Sequence, residues 1–382
     1  MIPGFSSTGS KRPEVLYGHL EGGPVRMTRA EGCRVWDVDG GEYLDTIMAL
    51  GAVALGYGHP AVNAAAERAI KDGVIGPLAP RLEREVAERL GHVLGQESVR
   101  FLKTGAEAVA AAVRIARTHT GRDRVISCGY HGWLDWNQDA AGVPAAVQAL
   151  HRAVPFNDVA ALERVVAEFR PLAAIVIEPV VEEAPTPAWL AALRKVARAE
   201  SAVLIFDEVK TAFRIAVGGA AERYGVQPDL MVVGKALGNG FPIAAVLGRR
   251  DLMEAATRTW ISSTLATETV SLAAANAVLE VYRTEPVIAR LNAAGERLWT
   301  GLIRLAAQFP NVVERVRGLP EMCYLHSSDE PTSGAIARKA ADRGLLFKRS
   351  AYNYVSLAHT DPVIDAVLER LEGVLDEVER TC

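Results

Sequence analysis

Two short apolar runs in the middle of the chain each end abruptly at charged residues. Residues 202–206 (AVLIF) are followed by Asp207 and Glu208, and residues 230–233 (LMVV) are followed, after one glycine, by Lys235. Runs of this length and composition are typical of buried parallel strands. Ligands of open α/β sheets bind just beyond the carboxyl ends of such strands. The pattern therefore predicts that a carboxylate and an amine meet at one edge of a mostly parallel sheet.

Composition narrows the class of protein. The 382 residues suggest about two or three domains, and 49% hydrophobic with 23% charged residues is typical of a globular protein. A net charge of −4 argues against a nucleic-acid partner. Four scattered cysteines lack metal-ligand spacing, so we expect no metal site and a reducing, cytoplasmic location. We also expect no signal peptide and no membrane span, because no apolar run is long enough.

Two motifs carry a family resemblance. The segments LIFDEVKTAFR (204–214) and PDLMVVGKALGNGFP (228–242) resemble motifs of pyridoxal-phosphate (PLP) enzymes with the aspartate aminotransferase fold, or fold type I. Within that fold the chain resembles class III aminotransferases, especially proteins related to glutamate-1-semialdehyde aminomutase, over nearly its whole length. The resemblance implies an α/β fold with a mostly parallel central sheet wrapped by helices. A smaller α+β domain would combine the C-terminal part with the N-terminal segment.

The same resemblance sets the expected domain boundaries. It places an N-terminal segment and hairpin at 1–60, a large PLP-binding domain at 61–284 and a small C-terminal domain at 285–382. Residues 1–30 read as irregular, and Asp39-Gly40-Gly41 between apolar runs predicts a hairpin turn. Asn157 is expected to cap a helix. Strands of the small domain are expected at 312–317, 321–325, 345–348 and 354–357.

The resemblance assigns the central catalytic roles to Lys235 and Asp207. Lys235 would bind the PLP aldehyde, and after release its amine would move protons; Asp207 would pair with the pyridine nitrogen. Such an amine must lose its proton, which burial promotes. The chain has only eight lysines, so rivals are few. On spacing alone, Lys210 remains a rival amine and Glu208 a rival carboxylate.

Further positions match the cofactor contacts of the family. Thr104, Gly105 and Ala106 precede a helix predicted over 106–117, whose first N–H groups can hold a phosphate. The family has a threonine where Ala106 stands, so one hydroxyl contact is missing. On sequence alone, Thr-Gly before a helix is a weak signal for phosphate and more often indicates plain capping. The remaining matches are the ring-stacking Tyr130, which is also counted as catalytic, its neighbour His131, Glu178 at the edge of the site, Val209 on the ring, and Thr264, which in the family reaches the phosphate of the neighbouring subunit.

Candidate substrate contacts also come from the resemblance. Thr8 and Lys11 match positions in a substrate-gating N-terminal segment, although the residues alone favour a solvated leader slightly. Trp133 follows the ring-stacking aromatic. Glu268 stands where aminomutases have a small polar residue. The glutamate of true aminomutases is missing at 351–353 (AYN). The carboxylate-binding arginine of ω-aminotransferases is not evident, with Arg349 the nearby candidate.

Together these features predict an aminotransferase. It would move an amino group between a small-molecule donor and an aldehyde or keto acceptor, as a homodimer with shared active sites, in a specialised biosynthetic pathway. The alternative is a 2,1-aminomutase of the glutamate-1-semialdehyde type, which transfers nitrogen within one molecule. A third possibility, a catalytically silent relative acting as a scaffold, conflicts with the presence of both Asp207 and Lys235.

Overall fold

The computed structural model describes residues 2–18, 22–327 and 329–381. Its strands are β1 (Met27–Glu31), β2 (Arg34–Asp37), β3 (Glu42–Asp45), β4 (Ser98–Leu102), β5 (Arg124–Cys128), β6 (His151–Ala153), β7 (Leu172–Ile177), β8 (Val203–Asp207), β9 (Leu230–Val233), β10 (Ala244–Gly248), β11 (Arg315–Leu319), β12 (Met322–His326), β13 (Leu345–Leu346) and β14 (Asn353–Tyr354). Its α-helices are α1 (Pro13–Tyr17), α2 (Met48–Gly51), α3 (Pro60–Asp72), α4 (Arg81–Leu94), α5 (Gly105–Thr120), α6 (Ala145–Gln148), α7 (Val159–Phe169), α8 (Pro187–Ala199), α9 (Gly219–Tyr224), α10 (Arg250–Met253), α11 (Thr269–Thr284), α12 (Val287–Gln308), α13 (Glu330–Asp342) and α14 (Asp361–Thr381).

The chain divides into two compact units. The large unit comprises Pro60–Glu285, and the small unit combines Met1–His59 with Pro286–Cys382. None of the helices in the described ranges has the length and hydropathy needed to cross a bilayer. Cys382 lies outside the described residues; the other three cysteines are buried free thiols.

A single sheet organises the large unit. Its strand order is β4-β10-β9-β8-β7-β5-β6. Neighbouring strands from β9 to β6 run parallel, and β10 runs antiparallel to both β9 and β4. Every residue of β7, β8 and β9 is buried, as their uninterrupted apolar sequences require. The expectation of a mostly parallel α/β sheet is confirmed.

Helix α5 covers one face of this sheet because its inner face is built from small side chains. Ala108, Ala112 and Ala116 are fully buried against the strands, together with Val109 and Val113. Alanine is the best helix former, and its single methyl group lets the helix axis approach the sheet closely. The helix packs on β7, β9 and β10. The first turn of α5 is thereby held beside the carboxyl ends of the parallel strands.

The small unit contains two sheets, ordered β1-β2-β3-β13 and β11-β12-β14. The hairpin predicted at Asp39-Gly40-Gly41 joins β2 to β3, and Gly40 has a left-handed φ of 87°. The expectation that residues 1–30 are irregular was wrong in part. Pro13 begins helix α1, where its fixed φ suits the first position, and Met27–Glu31 pairs with β2. Strand β11 also begins later than expected, and β14 is shorter.

The start of α7 in the large unit corrects a second expectation. Its cap is Asp158, whose Oδ1 accepts a hydrogen bond from the Ala161 N–H at 2.8 Å. Asn157 instead has a left-handed φ of 62°, a conformation that asparagine tolerates better than most residues. Its amide donates to Glu183 and accepts from the Thr186 N–H, tying the loop after β7 to this turn.

Two helix glycines of the small unit provide a packing test. A Cβ on Gly295 in α12 would lie 2.7 Å from the carbonyl atoms of Pro320, which is backbone and cannot move aside. Gly295→Ala should therefore lower the free energy of unfolding by about 2 kcal/mol, despite a helix-propensity gain of about 1 kcal/mol. Gly373 in α14 faces only the flexible end of Arg343 at 3.4 Å. Gly373→Ala should raise stability by about 0.5–1 kcal/mol; equal urea midpoints for both variants would contradict this account.

Candidate active site

The loops that follow the strands of the large unit's sheet meet at the carboxyl ends of its parallel strands, which we call the carboxyl edge. A Cβ on Gly105 would lie 3.0 Å from Val209 Cγ1, and one on Gly234 would lie 3.6 Å from the same atom. Val209 therefore lies against both the start of α5 and the residue before Lys235. A Cβ on Gly132 would lie 2.3 Å from the Ala106 Cβ. Glycine at these positions allows the loops after β4, β5, β8 and β9 to approach one another.

Asp207 forms a buried pair with His131. Asp207 is the last residue of β8, and its Oδ2 lies 2.9 Å from His131 Nδ1. The side chains of Asp207 and His131 are 7% and 0% exposed. The other ring nitrogen, Nε2, lies 3.1 Å from the Cys128 carbonyl oxygen, which can only accept. Nε2 therefore carries a proton, and a second proton on Nδ1 or on Asp207 completes the other bond. Asp207 Oδ1 accepts from the Val209 N–H at 3.2 Å, which fixes the carboxylate.

Glu208, the rival carboxylate, points elsewhere. It is fully buried, and its oxygens accept hydrogen bonds from the Ala220 and Ala221 N–H groups at the start of α9 and from the Thr211 hydroxyl. Burial raises its pKa to about 7. Glu208 thus satisfies the orphan N–H groups of a helix, a structural task that its neighbour Asp207 does not share.

Lys235 follows β9 after one glycine and lies in the same neighbourhood as Asp207. Strands β8 and β9 pair in parallel, with Asp207 opposite Val232, so the two side chains leave neighbouring strands at one edge. Burial, and next the charge of Lys210, lower the pKa of the Lys235 amine to about 8. The neutral amine that a nucleophile needs is therefore more accessible near neutral pH than it is for a free lysine.

Lys210, the rival amine, is held by two partners in the loop that follows β7. Its ammonium lies 2.5 Å from Glu178 Oε1 and donates to the Val180 carbonyl at 2.9 Å. The second carboxylate oxygen of Glu178 accepts from the Tyr130 N–H at 3.1 Å. Glu178 therefore fixes both the backbone at Tyr130 and the charge of Lys210. The sequence interpretation considered each residue separately and missed this connection.

Tyr130 and Trp133 present exposed aromatic rings at this edge. Their exposures are 71% and 74%, among the largest of any apolar side chains in the described ranges. The loop between them is anchored by His131 and by a hydrogen bond from Gln138 to the Gly132 carbonyl at 2.7 Å. Exposed rings on an anchored backbone are available to cover a ligand.

The start of α5 forms a candidate phosphate seat. Thr104 and Glu107 build a capping box, in which the Thr104 hydroxyl accepts from the Glu107 N–H at 3.2 Å and contacts the Glu107 carboxylate at 3.0 Å. The N–H groups of Gly105 and Ala106 belong to the first turn, which has no partners within the helix. Sequence reasoning left capping and phosphate binding open, and the geometry shows capping by the Thr104 side chain beside N–H groups suited to an anion.

An ion pair that the sequence interpretation did not find lies beside this seat. Lys103 Nζ lies 2.6 Å from Glu268 Oε1, with side-chain exposures of 13% and 10%. Glu268 also caps α11 by accepting from the Val270 and Ser271 N–H groups. The predicted contact between Glu268 and substrate stays a prediction. In the structure its oxygens contact Lys103 and the N–H groups of Val270 and Ser271. Thr264, in the segment before Glu268, is exposed.

The remaining candidates lie in the small unit. Thr8 precedes the short turn Gly9–Lys11 and is exposed, as is Lys11; their substrate roles stay predictions. Arg349 donates to the Val15 carbonyl at 2.9 Å and pairs with Glu330 at 2.9 Å. It therefore fastens the N-terminal segment within this unit, and we do not retain it as the substrate-carboxylate arginine.

Comparison with known proteins decides the family. The model of the class-III aminotransferase family matches residues 18–375. The chain belongs to the class III aminotransferases. A curated relative, glutamate-1-semialdehyde 2,1-aminomutase of Symbiobacterium thermophilum, is 34% identical over 415 aligned residues, covering 97% of this chain and 94% of its own.

Solved structures agree with the fold of this class III aminotransferase. A transaminase with PLP bound superposes with a TM-score of 0.91 at 26% identity, covering 100% of this chain and 96% of its own. An ω-transaminase from Sphaerobacter thermophilus gives 0.89 at 26% identity, covering 99% and 95%. The expected fold, a PLP-dependent aminotransferase activity on small molecules and the cofactor PLP are thereby supported in this chain.

The residues at the carboxyl edge fit this cofactor. PLP needs an amine, a carboxylate for its ring nitrogen, an aromatic or apolar clamp and a seat for its phosphate. The edge offers Lys235, the fixed carboxylate of Asp207, the exposed ring of Tyr130 and the first turn of α5. Val209, which lies beside both Gly105 and Gly234, supplies an apolar surface next to the loops that carry the amine and the phosphate seat.

Proposed function

We propose that Lys235 is the residue that holds PLP in this class III aminotransferase and that Asp207 is its ring partner. The main support for this proposal is that the two residues lie at or just beyond the carboxyl ends of adjacent parallel strands, β8 and β9, at one edge of the sheet. When bound, PLP supplies an aldehyde that captures amines and a ring that accepts electrons from the substrate carbon. Thr104, Gly105, Ala106, His131, Glu178, Val209 and Thr264 complete the proposed cofactor site.

Each proposed residue would have its own task in the reaction. Lys235 donates a neutral amine and later carries the proton removed from the substrate α-carbon. Asp207, oriented by His131 and by the Val209 N–H, stabilises a proton on the ring nitrogen. Tyr130 would cover the ring of the cofactor, and the N–H groups of Gly105 and Ala106 would bind its phosphate. Thr8, Lys11, Trp133 and Glu268 remain the proposed substrate contacts.

A donor screen tests transfer between two molecules. Purified enzyme with PLP is mixed with one amino donor at a time, and the absorbance spectrum is followed. A productive donor converts the cofactor to its amine form, which absorbs at shorter wavelength, and a carbonyl acceptor then restores the original spectrum. Failure of every member of a broad donor panel would contradict the proposal.

Amino transfer within one molecule is the second candidate, and the 34% identity to an aminomutase favours it. The absence of a glutamate at 351–353 (AYN) favours two-substrate transfer instead. Product analysis separates the two, since a mutase turns over without any added keto acid. We retain two-substrate transfer, in a specialised biosynthetic pathway, as the main proposal. We also propose a cytoplasmic location, consistent with the buried free thiols Cys33, Cys128 and Cys323.

We propose a homodimer whose interface includes an apolar patch of the large unit. Ile70, Val74, Ile75 and Leu78 are all exposed, and Leu78 is 83% exposed. The Val74 carbonyl accepts from the Thr269 N–H at 2.9 Å, so this patch adjoins the segment that carries Thr264. Contiguous exposed apolar side chains mark an interaction surface. A second copy seated here would bring Thr264 towards its partner.

Substitution at this patch tests the dimer. Leu78→Asp should weaken self-association by about 30-fold or more, because a charge replaces an apolar anchor. Analytical ultracentrifugation over a dilution series measures the change. Ile303→Asp, at an exposed apolar residue of α12 in the small unit, is the control and should leave association unchanged. A monomeric wild type, or equal effects of both substitutions, would contradict the interface.

A further inference from the structure

Lys210 is a buried ammonium whose position is fixed from two sides. Its side chain is 7% exposed, and its nitrogen lies 2.5 Å from Glu178 Oε1 and 2.9 Å from the Val180 carbonyl oxygen. Both contacts are charge-assisted, so they hold the ammonium group in one position. Burial of a charged side chain is costly unless the charge is paired, and Glu178 and Val180 supply the partners here.

The backbone that carries Lys210 lies beside the backbone that carries Lys235. Glu178 follows β7, Lys210 follows β8 and Lys235 follows β9, and these three strands are neighbours that run parallel. Val209, which precedes Lys210, lies against Gly234, which precedes Lys235. The two lysines therefore share one cluster at the carboxyl edge of the sheet.

We infer that Lys210 is a positioning residue that favours the neutral form of the Lys235 amine by presenting a fixed like charge beside it. The inference rests on the proposed role of Lys235 as the amine that holds PLP. A cation disfavours a second cation nearby, and the effect is strong where water is excluded. Lys210 thus acts through Lys235 and does not itself react.

The other charges around Lys235 act in both directions. Glu178 and Asp207 raise the pKa of the Lys235 amine, while burial, Lys210 and Arg214 lower it, burial most and Lys210 next. Lys210 also neutralises Glu178, which would otherwise be available to attract a protonated Lys235. Loss of Lys210 therefore removes a repulsive charge and exposes an attractive one, and both changes favour the protonated amine.

The test measures the protonation of Lys235 directly. The full-length chain, stripped of PLP, is labelled with an amine-specific acylating reagent between pH 6 and 10, and labelling at Lys235 is quantified by peptide mass spectrometry against exposed Lys195. The wild-type midpoint is expected near pH 8. In Lys210→Met the midpoint rises, and labelling at pH 7.5 falls about tenfold. An unchanged midpoint overturns the inference.

Two further variants separate charge from structure. Lys210→Arg keeps the cation and should label at pH 7.5 within about twofold of wild type. If it shifts the midpoint as far as Lys210→Met does, the inference is overturned. The double variant Lys210→Met with Glu178→Gln removes both charges, so that no unpaired buried carboxylate is left to cause misfolding. Its labelling midpoint should lie between those of wild type and Lys210→Met. A midpoint as high as that of Lys210→Met overturns the electrostatic account.

Failure of the proposed function is a distinct outcome. Borohydride reduction of the PLP-loaded enzyme, followed by peptide mapping, identifies the lysine that holds PLP. If that lysine is not Lys235, the site assignment fails whatever the labelling midpoints show. If Lys235 is the trapped lysine but its labelling midpoint is the same in wild type and Lys210→Met, only the present inference fails.

Discussion

Lys235→Ala is expected to abolish covalent retention of PLP and to lower the rate of amino transfer by about 10⁴-fold or more. The variant loses both the nucleophile that attaches the cofactor and the base that moves the substrate proton. Borohydride trapping measures retention, and a coupled assay of the keto product measures the rate. The effect should be on the turnover rate, because the phosphate seat and the ring clamp remain.

Lys195→Ala is the matched control, since it removes a lysine from the exposed surface of α8. It should retain wild-type colour and rate. A yellow Lys235→Ala enzyme with unchanged turnover would show that the cofactor is attached elsewhere, and Lys210 would then be the residue to examine.

Asp207→Asn is expected to lower the turnover rate by about 10³-fold. Two unit charges about 4 Å apart interact by about 4 kcal/mol at the effective dielectric of a protein surface, equivalent to about three pKa units. Asparagine keeps the shape of the side chain but cannot hold the ring nitrogen in its protonated form. Steady-state kinetics with a productive donor measure the loss, and the absorbance maximum of the bound cofactor should also shift.

A carboxylate at the opposite edge of the sheet serves as the control. Asp229 precedes β9, pairs with Arg194 at 3.0 Å and accepts from the Leu204 N–H. Asp229→Asn should reduce stability while leaving the turnover rate of the folded enzyme within about twofold. Similar losses of turnover in both variants would mean that Asp207 matters for folding and not for chemistry.

Local sequence predicted the central elements well because their signals are local. The apolar runs of β7, β8 and β9 are buried over their whole length, and the alanine-rich pattern of α5 identifies a helix packed on the sheet. The charge that ends each of two strands could therefore be placed at one edge. The family motifs then distinguished Asp207 from Glu208, which spacing alone could not do.

Pairings between distant residues could not be predicted in this way. Glu178 and Lys210, or Lys103 and Glu268, are joined by the packing of strands and not by any pattern along the chain. The same limit applies to Asn157, because nothing in its immediate neighbours shows that Glu183 and Thr186 will occupy its amide. Short elements near the N-terminus depend on partners elsewhere in the chain, since β1 pairs with β2 and α1 packs on α13. They escape periodicity arguments for this reason.

The divided carboxylate of Glu178 has a consequence for redesign of this enzyme. One oxygen holds the main chain at Tyr130 and the other holds Lys210. A substitution at Glu178 that is chosen to move Tyr130 and admit a bulkier substrate would therefore also change the pH optimum of the enzyme. Substrate range and pH optimum are therefore expected to change together in variants at this position, and a second substitution at Lys210 would be needed to vary one without the other.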